Sequence, residues 1–172
     1  MSGRYIAGVY DATYNGLALG RTESPGIRLS HRLHKRMITS DAGGDAPVDG
    51  LYRGRDQFAQ FTLLEAGQPG VLDLIEPYAD RDSAGNPIPF TRGAIGQFDV
   101  GSTECPGRAR PLVMTARPGS CAAVFGPATI TFPLAIIAED YPIDVLFGND
   151  LRMIPIRLRI HANANGVHGT QT

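Results

Sequence analysis

The side chains able to do chemistry are few, and they fall into four groups. Asp41, Asp45 and Asp49 share a polar stretch with Gly43, Gly44 and Pro47. Carboxylates interleaved with glycine can wrap a hard cation such as calcium. Their spacing of four departs from an EF-hand loop, which alternates its first ligands and closes on a glutamate. Turn chemistry, or contact with another subunit, accounts for the stretch better. His31 and His34 lie three apart in a segment of strand character. Strand residues alternate between faces, so the two imidazoles point opposite ways and a satisfied or solvent-facing histidine is expected at each. Asp73 and Glu76 offer a carboxylate pair for acid–base work, but two acids on the solvated face of a short helix look the same. Arg28 and Arg32 in one segment, and Arg157 and Arg159 in another, alternate with apolar residues. Such a basic face can bind nucleic acid, yet no exposed aromatics interleave with it. An interface with acidic partner groups, or a plain solvated sheet face, remains for these four arginines.

No phosphate-cradling Gly-x-x-x-x-Gly-Lys run and no Gly-x-Ser-x-Gly elbow occurs. Lys35, the single lysine, stands outside any such glycine pattern. No catalytic residue, cofactor site or metal site is therefore expected, and the chain reads as a non-enzyme.

The elements that must position these groups are mostly strands. Residues 27–38 place Ile27, Leu29 and Leu33 on one parity and Arg28, Ser30, Arg32 and His34 on the other, an apolar face backed by a basic one. Residues 52–64 are apolar on both parities, as in a strand covered on both sides. Together they predict a long β-hairpin whose glycine-rich loop spans 39–50, and long ordered loops in compact domains usually have a job. Upstream, Asn15-Gly16 between residues 9–14 and 17–21 predicts a tight type I′ hairpin. Val71, Leu74, Ile75 and Tyr78 mark one face of a short helix that Pro77 should stop near Glu76. Residues 80–89 are loop by composition. Weaker strands are expected at 90–100 and 112–117, a short apolar run at 121–125, and strands at 129–137 and 153–160, with Pro133 hinting at an edge or bulge.

About eight strands, many turns and one helix predict an antiparallel β-sandwich or barrel with one short flanking helix and a long hairpin loop. At 172 residues this is one domain over 1–161, followed by a polar tail, 162–172, expected to fray. Hydrophobic residues at 42% and charged residues at 19% fit a globular chain. A net charge of −1 creates no global field for nucleic acid or membrane. Fifteen of the sixteen cations are arginines, which suits interface ion pairs and equally a codon bias. Cys105 and Cys121 are too few for a disulfide scaffold or zinc site. Without an apolar N-terminal run or a span of about 18 apolar residues, a cytoplasmic protein with no membrane partner is expected.

Three stretches carry a resemblance that spans most of the chain. Residues 13–22 (Thr-Tyr-Asn-Gly-Leu-Ala-Leu-Gly-Arg-Thr), followed by Gly26-Ile27-Arg28-Leu29, form an opening hairpin and strand. Residues 41–54, from Asp41 through Gly43-Gly44-Asp45 and Pro47 to Asp49 and Gly54, run from a polar loop into a strand closed by Leu63-Leu64-Glu65. Phe132-Pro133-Leu134-Ala135 and then residues 148–156 read as closing strands. In this order they resemble the major tail tube proteins of long-tailed (siphophage-type) bacteriophages. Residues 80–128 match nothing in that family's pattern. The resemblance implies a structural virion protein, assembled in the host cytoplasm. Its hexameric rings would stack into the tail tube through which the genome is delivered. The hairpin loop, with Asp41, Gly43, Gly44, Asp45, Pro47 and Asp49, would reach a neighbouring subunit or ring. Arg28, Arg32, Arg157 and Arg159 would lie at interfaces or toward the lumen. Partners would be further copies of the chain, a tape measure protein and phage DNA in the lumen, and tail terminator and distal tail proteins at the ends. A tail terminator or head–tail connector ring, or a monomeric small-molecule-binding barrel, stands as the alternative.

Overall fold

Asn15 and Gly16 adopt positive φ of 52° and 77°, the pair of left-handed conformations that a type I′ turn requires. They join β1 (Tyr10–Tyr14) to β2 (Leu17–Ala18), with Tyr14 opposite Leu17. The remaining elements are β3 (Arg28–Ser40), β4 (Gly44–Leu63), α1 (Pro69–Ile75), β5 (Arg110–Ala116), β6 (Thr129–Ile137), β7 (Ile154–His161) and β8 (Thr170–Gln171). The computed structural model describes residues 9–23, 26–40, 44–65, 69–93, 95–120, 126–139, 142 and 153–172. The expected apolar run at 121–125 lies outside the described residues, as do Asp41, Gly43 and Cys121; Cys105 is exposed and unbonded.

The strands form one antiparallel sheet in the order β2-β1-β5-β6-β7-β4-β3, with β8 added to β6. The chain is thus mainly β with one short helix, as its patterning implies, and the sheet is not closed into a barrel. Thr22 makes a single bridge to Leu63, with Glu23 N–H bonded to the Thr62 carbonyl and Leu64 N–H to that of Arg21. The sheet bends around one core without its end strands pairing.

Strand alternation builds that core. Ile154, Ile156, Leu158 and Ile160 of β7 are buried, while Pro155, Arg157 and Arg159 between them are half-buried. Ala59, Phe61 and Leu63 of β4, Leu112 and Met114 of β5, and Ala12 and Tyr14 of β1 join the same cluster. Each fully buried Leu, Ile or Phe contributes about 2 kcal/mol. The buried Tyr14 hydroxyl donates to the Ala135 carbonyl at 3.0 Å, and burial pushes its phenol pKa above the ordinary value, so it stays a donor. Helix α1 adds Val71 and Leu74 to the core and ends at Ile75, ahead of Pro77, whose ring cannot continue the ladder.

Four expectations need correction. The loop expected over 39–50 is largely strand: Ile38 lies opposite Asp49, Thr39 opposite Pro47 and Ser40 opposite Gly44. Glycine, aspartate and proline mark a turn locally, but pairing with β3 extends the ladder almost to the tip. Residues 90–100 are not a strand, because Phe90, Gly93 and Gly96 at φ of 60°, 68° and 83° break the extended path. The tail does not fray: Thr170–Gln171 pairs with β6, and Thr129 and Thr172 exchange two backbone hydrogen bonds. Pro133, by contrast, meets the expectation of a bulge: Arg110 lies opposite Ala135 and Leu112 opposite Phe132, so Pro133 and Leu134 of β6 face the single residue Pro111 of β5. Asp73 is not solvated. At 3% exposure it pairs with Arg81 and accepts from the Asn15 amide at 3.0 Å, tying the first hairpin to α1. Glu76, by contrast, is half-buried and accepts the backbone N–H of Phe90 at 3.1 Å.

Removing a buried carboxylate strands its partner charge, which costs about 3 kcal/mol or more. Asp73→Ala is therefore expected to lower the free energy of unfolding by about that amount in urea titration. Asp82→Ala, a change of equal charge on the exposed loop, should cost far less.

Candidate functional site

Strand β4 pairs with β7 only over residues 57–63. Its preceding residues, 44–56, pair with β3 alone, so the two strands leave the sheet together as a two-stranded arm. Nine residues of β3, at 3.3 Å each, give this arm a length of about 30 Å. Register shifts at His34/Lys35 and near Thr39, with Gly54 at φ 126°, mark bulges that increase its twist.

Both faces of the arm are bare. Residues 31–39 and 47–53 are all exposed. Among them Leu33, Met37 and Leu51 stand in solvent together with Tyr52, at 56% exposure. The alternation that sequence reading assigned to a core face therefore runs past the end of the core, and Leu29 is itself 40% exposed. The outer edge of β3, thirteen residues long, has no strand beside it among the described residues. An open edge of this length presents a row of unpaired backbone groups, a template for pairing with another chain.

Charge is concentrated on the shaft. Arg32, Lys35, Arg36, Arg53 and Arg55 are exposed against Asp49 and Asp56. Asp56 is held at the root between His34 Nε2 at 2.7 Å and Arg159 at 2.8 Å, and Arg159 also pairs with Glu139. The hydrogen bonds from His34 and then Arg159 lower the Asp56 pKa, and Asp56 in turn raises that of Arg159. The guanidinium carbon of Arg157 lies 4.3 Å from the Phe58 ring centroid, and that of Arg159 5.8 Å, a cation–π arrangement that stiffens the arm's root.

The candidate residues of the sequence thus separate. Gly44, Asp45, Pro47 and Asp49 lie in β4 near the arm's tip, where Asp49 Oδ1 accepts the Gly50 N–H at 2.6 Å. Arg28 and Arg32 are exposed on the outer face, and no acidic group among the described residues pairs with them. Arg157 and Arg159 are half-buried in the root cluster instead of being displayed. His34 is used by Asp56, as the expectation of a satisfied histidine has it.

Sequence reading passed over one surface, the irregular segment 76–109. It is ordered by its own bonds: Asp99 accepts from the Tyr78 hydroxyl and from His161 Nε2 at 3.2 Å, and Arg108 N–H donates to the Phe98 carbonyl. Burial, and then Asp99, raise the Tyr78 pKa, so the phenol remains the donor. Gly93 could not carry a side chain, since a Cβ there would meet the Tyr78 carbonyl oxygen at 1.8 Å. Yet Phe90 is 90% exposed, with Ile95 and Phe98 beside it in sequence also exposed. Their irregular spacing gave no periodic signal.

No protein-family model and no curated protein matches the sequence.

Because Asp56 has a depressed pKa in the folded state, its pairing contributes stability above the unfolded carboxylate pKa of about 4, and that contribution is lost as pH falls through the lower folded value. Asp56→Asn should lower stability at pH 7 by about 0.5–1 kcal/mol, as for partly exposed pairs. The difference from wild type should be constant above the unfolded carboxylate value and shrink steadily as pH falls below it, in denaturant titrations run across this range.

Proposed function

We propose that this chain is a structural virion protein: a subunit of hexameric rings that stack into a phage tail tube and form the conduit for genome delivery. The observation that carries the reading is the two-stranded arm, bare on both faces and carrying exposed apolar residues among its charges, projecting from a small open sheet. A protein that worked alone would leave several kcal/mol of apolar transfer energy unrealised there and would carry an aggregation-prone edge. Copies arranged head to tail around an axis convert the same edge into a closed assembly. A stable contact of roughly 1,200–2,000 Å² is within reach of an arm this long. The strand order and the resemblance of residues 13–22, 26–29, 41–54, 63–65, 132–135 and 148–156 to tail tube proteins point the same way.

In this reading Arg28 and Arg32 meet acidic groups of a neighbouring subunit. Facing the lumen they would hold DNA by its phosphates and impede its passage. Tape measure protein and DNA occupy the lumen, and terminator and distal tail proteins close the ends of the tube.

Negative-stain microscopy of concentrated protein should show rings of uniform diameter and tubes built from them. Strictly monomeric protein at high concentration would overturn the reading, and single rings that never stack would reassign it to a terminator or connector. Replacing residues 35–53 with a two-residue Asn-Gly turn should leave thermal unfolding cooperative and remove all assembly. Loss of the fold in that variant would contradict the placement of the arm outside the core.

A further inference from the structure

We infer that the arm of one copy docks on the 76–109 segment of another, a step that rests on the assembly reading above and names the surface the arm meets. The two are complementary in charge. Residues 28–40 contain four cations and no acid, and Arg53 and Arg55 add to them across the hairpin. Segment 76–109 carries five acids against three cations, of which Arg81 is committed to the buried Asp73, Arg108 is bonded to Gln97 and Arg92 is exposed, leaving the segment net acidic. Asp80, Asp82 and Glu104 are exposed.

They also match in apolar content. The arm shows Leu33, Met37 and Leu51 to solvent, and the segment shows Phe90, Ile95 and Phe98. A long irregular segment that spends its hydrogen bonds on holding its own shape usually buries its aromatics; this one displays them. Phe90 is kept in a left-handed conformation at φ 60°, unfavourable for an aromatic residue, with its N–H anchored on Glu76 and Thr91 Oγ1 bonded to the Ile88 carbonyl. That arrangement fixes an aromatic side chain outside the molecule. Local backbone strain of this kind is sustained where the surrounding structure has a use for it. Within one chain neither surface covers the other, since arm residues 31–39 and Phe90 are all exposed. The contact is therefore made between copies.

Two charge reversals test this. Arg36→Glu with Arg53→Glu on the arm, or Asp80→Lys with Glu104→Lys on the segment, should each raise the concentration needed for assembly at least tenfold. Mixing the two reversed proteins, or combining all four changes, should restore it. All four positions are exposed, so thermal unfolding should stay within a degree or two of wild type. A second measurement uses the exposed Cys105 as a natural probe. In a Cys121→Ser background, Leu51→Cys should form covalent dimers through a short bis-maleimide, and omitting either Cys105 or the new cysteine should abolish them. Reversed variants that assemble like wild type, or an absent cross-link in assembled protein, would overturn the docking while leaving the tube reading standing. Wild type that never self-associates would overturn both.

Discussion

The constraint on which the rest of the structure depends is backbone hydrogen bonding along β3. Residues 57–63 of β4 are paired on both sides, by β3 and by β7, whereas β3 along its whole length satisfies only the side that faces β4. Water can serve the other row, but water does not cover Leu29, Leu33 or Met37 on the same strand. One strand thus combines an open ladder with uncovered apolar surface. Either feature alone is ordinary at a protein surface. Together, over thirteen residues, they are the feature on which the proposed assembly rests.

The body of the fold is built to hold that strand still. Ala59, Phe61 and Leu63 anchor β4 in the core, so the hairpin enters solvent from a fixed base. Asp56, clasped by His34 and Arg159, and Phe58, covered by Arg157, lock the exit point. These contacts are partly exposed and individually small. Their effect is on direction: an arm about 30 Å long converts a slight tilt at its root into a large displacement at its tip. The first hairpin, fastened to α1 through Asn15 and Asp73, stabilises the opposite end of the sheet and has no part in the arm.

Much of this was legible in the residues. The Asn15-Gly16 turn, the stop before Pro77 and the alternation of β7 follow from local rules that tertiary packing did not override. The hairpin itself was visible as alternation, with a basic parity and an apolar one. Its bareness was not, because periodicity reports which residues share a face and says nothing of whether another element covers it. The same limit explains the misreading of 39–50, where turn-forming residues are held in a ladder by β3. It explains Asp73 as well: the carboxylate is buried because Arg81 and Asn15, eight and fifty-eight positions away, arrive beside it. Segment 76–109 escaped for a different reason. Its order comes from specific pairs such as Tyr78–Asp99 and from glycines at positive φ, and neither leaves a period in the sequence.

Amide hydrogen exchange on β3, followed as a function of protein concentration, addresses the central claim most directly, since each N–H reports its own hydrogen bond. In dilute protein the outward-facing amides of residues 28–40 should exchange far faster than the inward-facing ones bonded to β4. At assembling concentrations the outward row should become protected, while the amides of β5 and β7 stay unchanged. Outward amides that remain equally fast at every concentration would mean that the edge is never covered by another copy, and the account would fail.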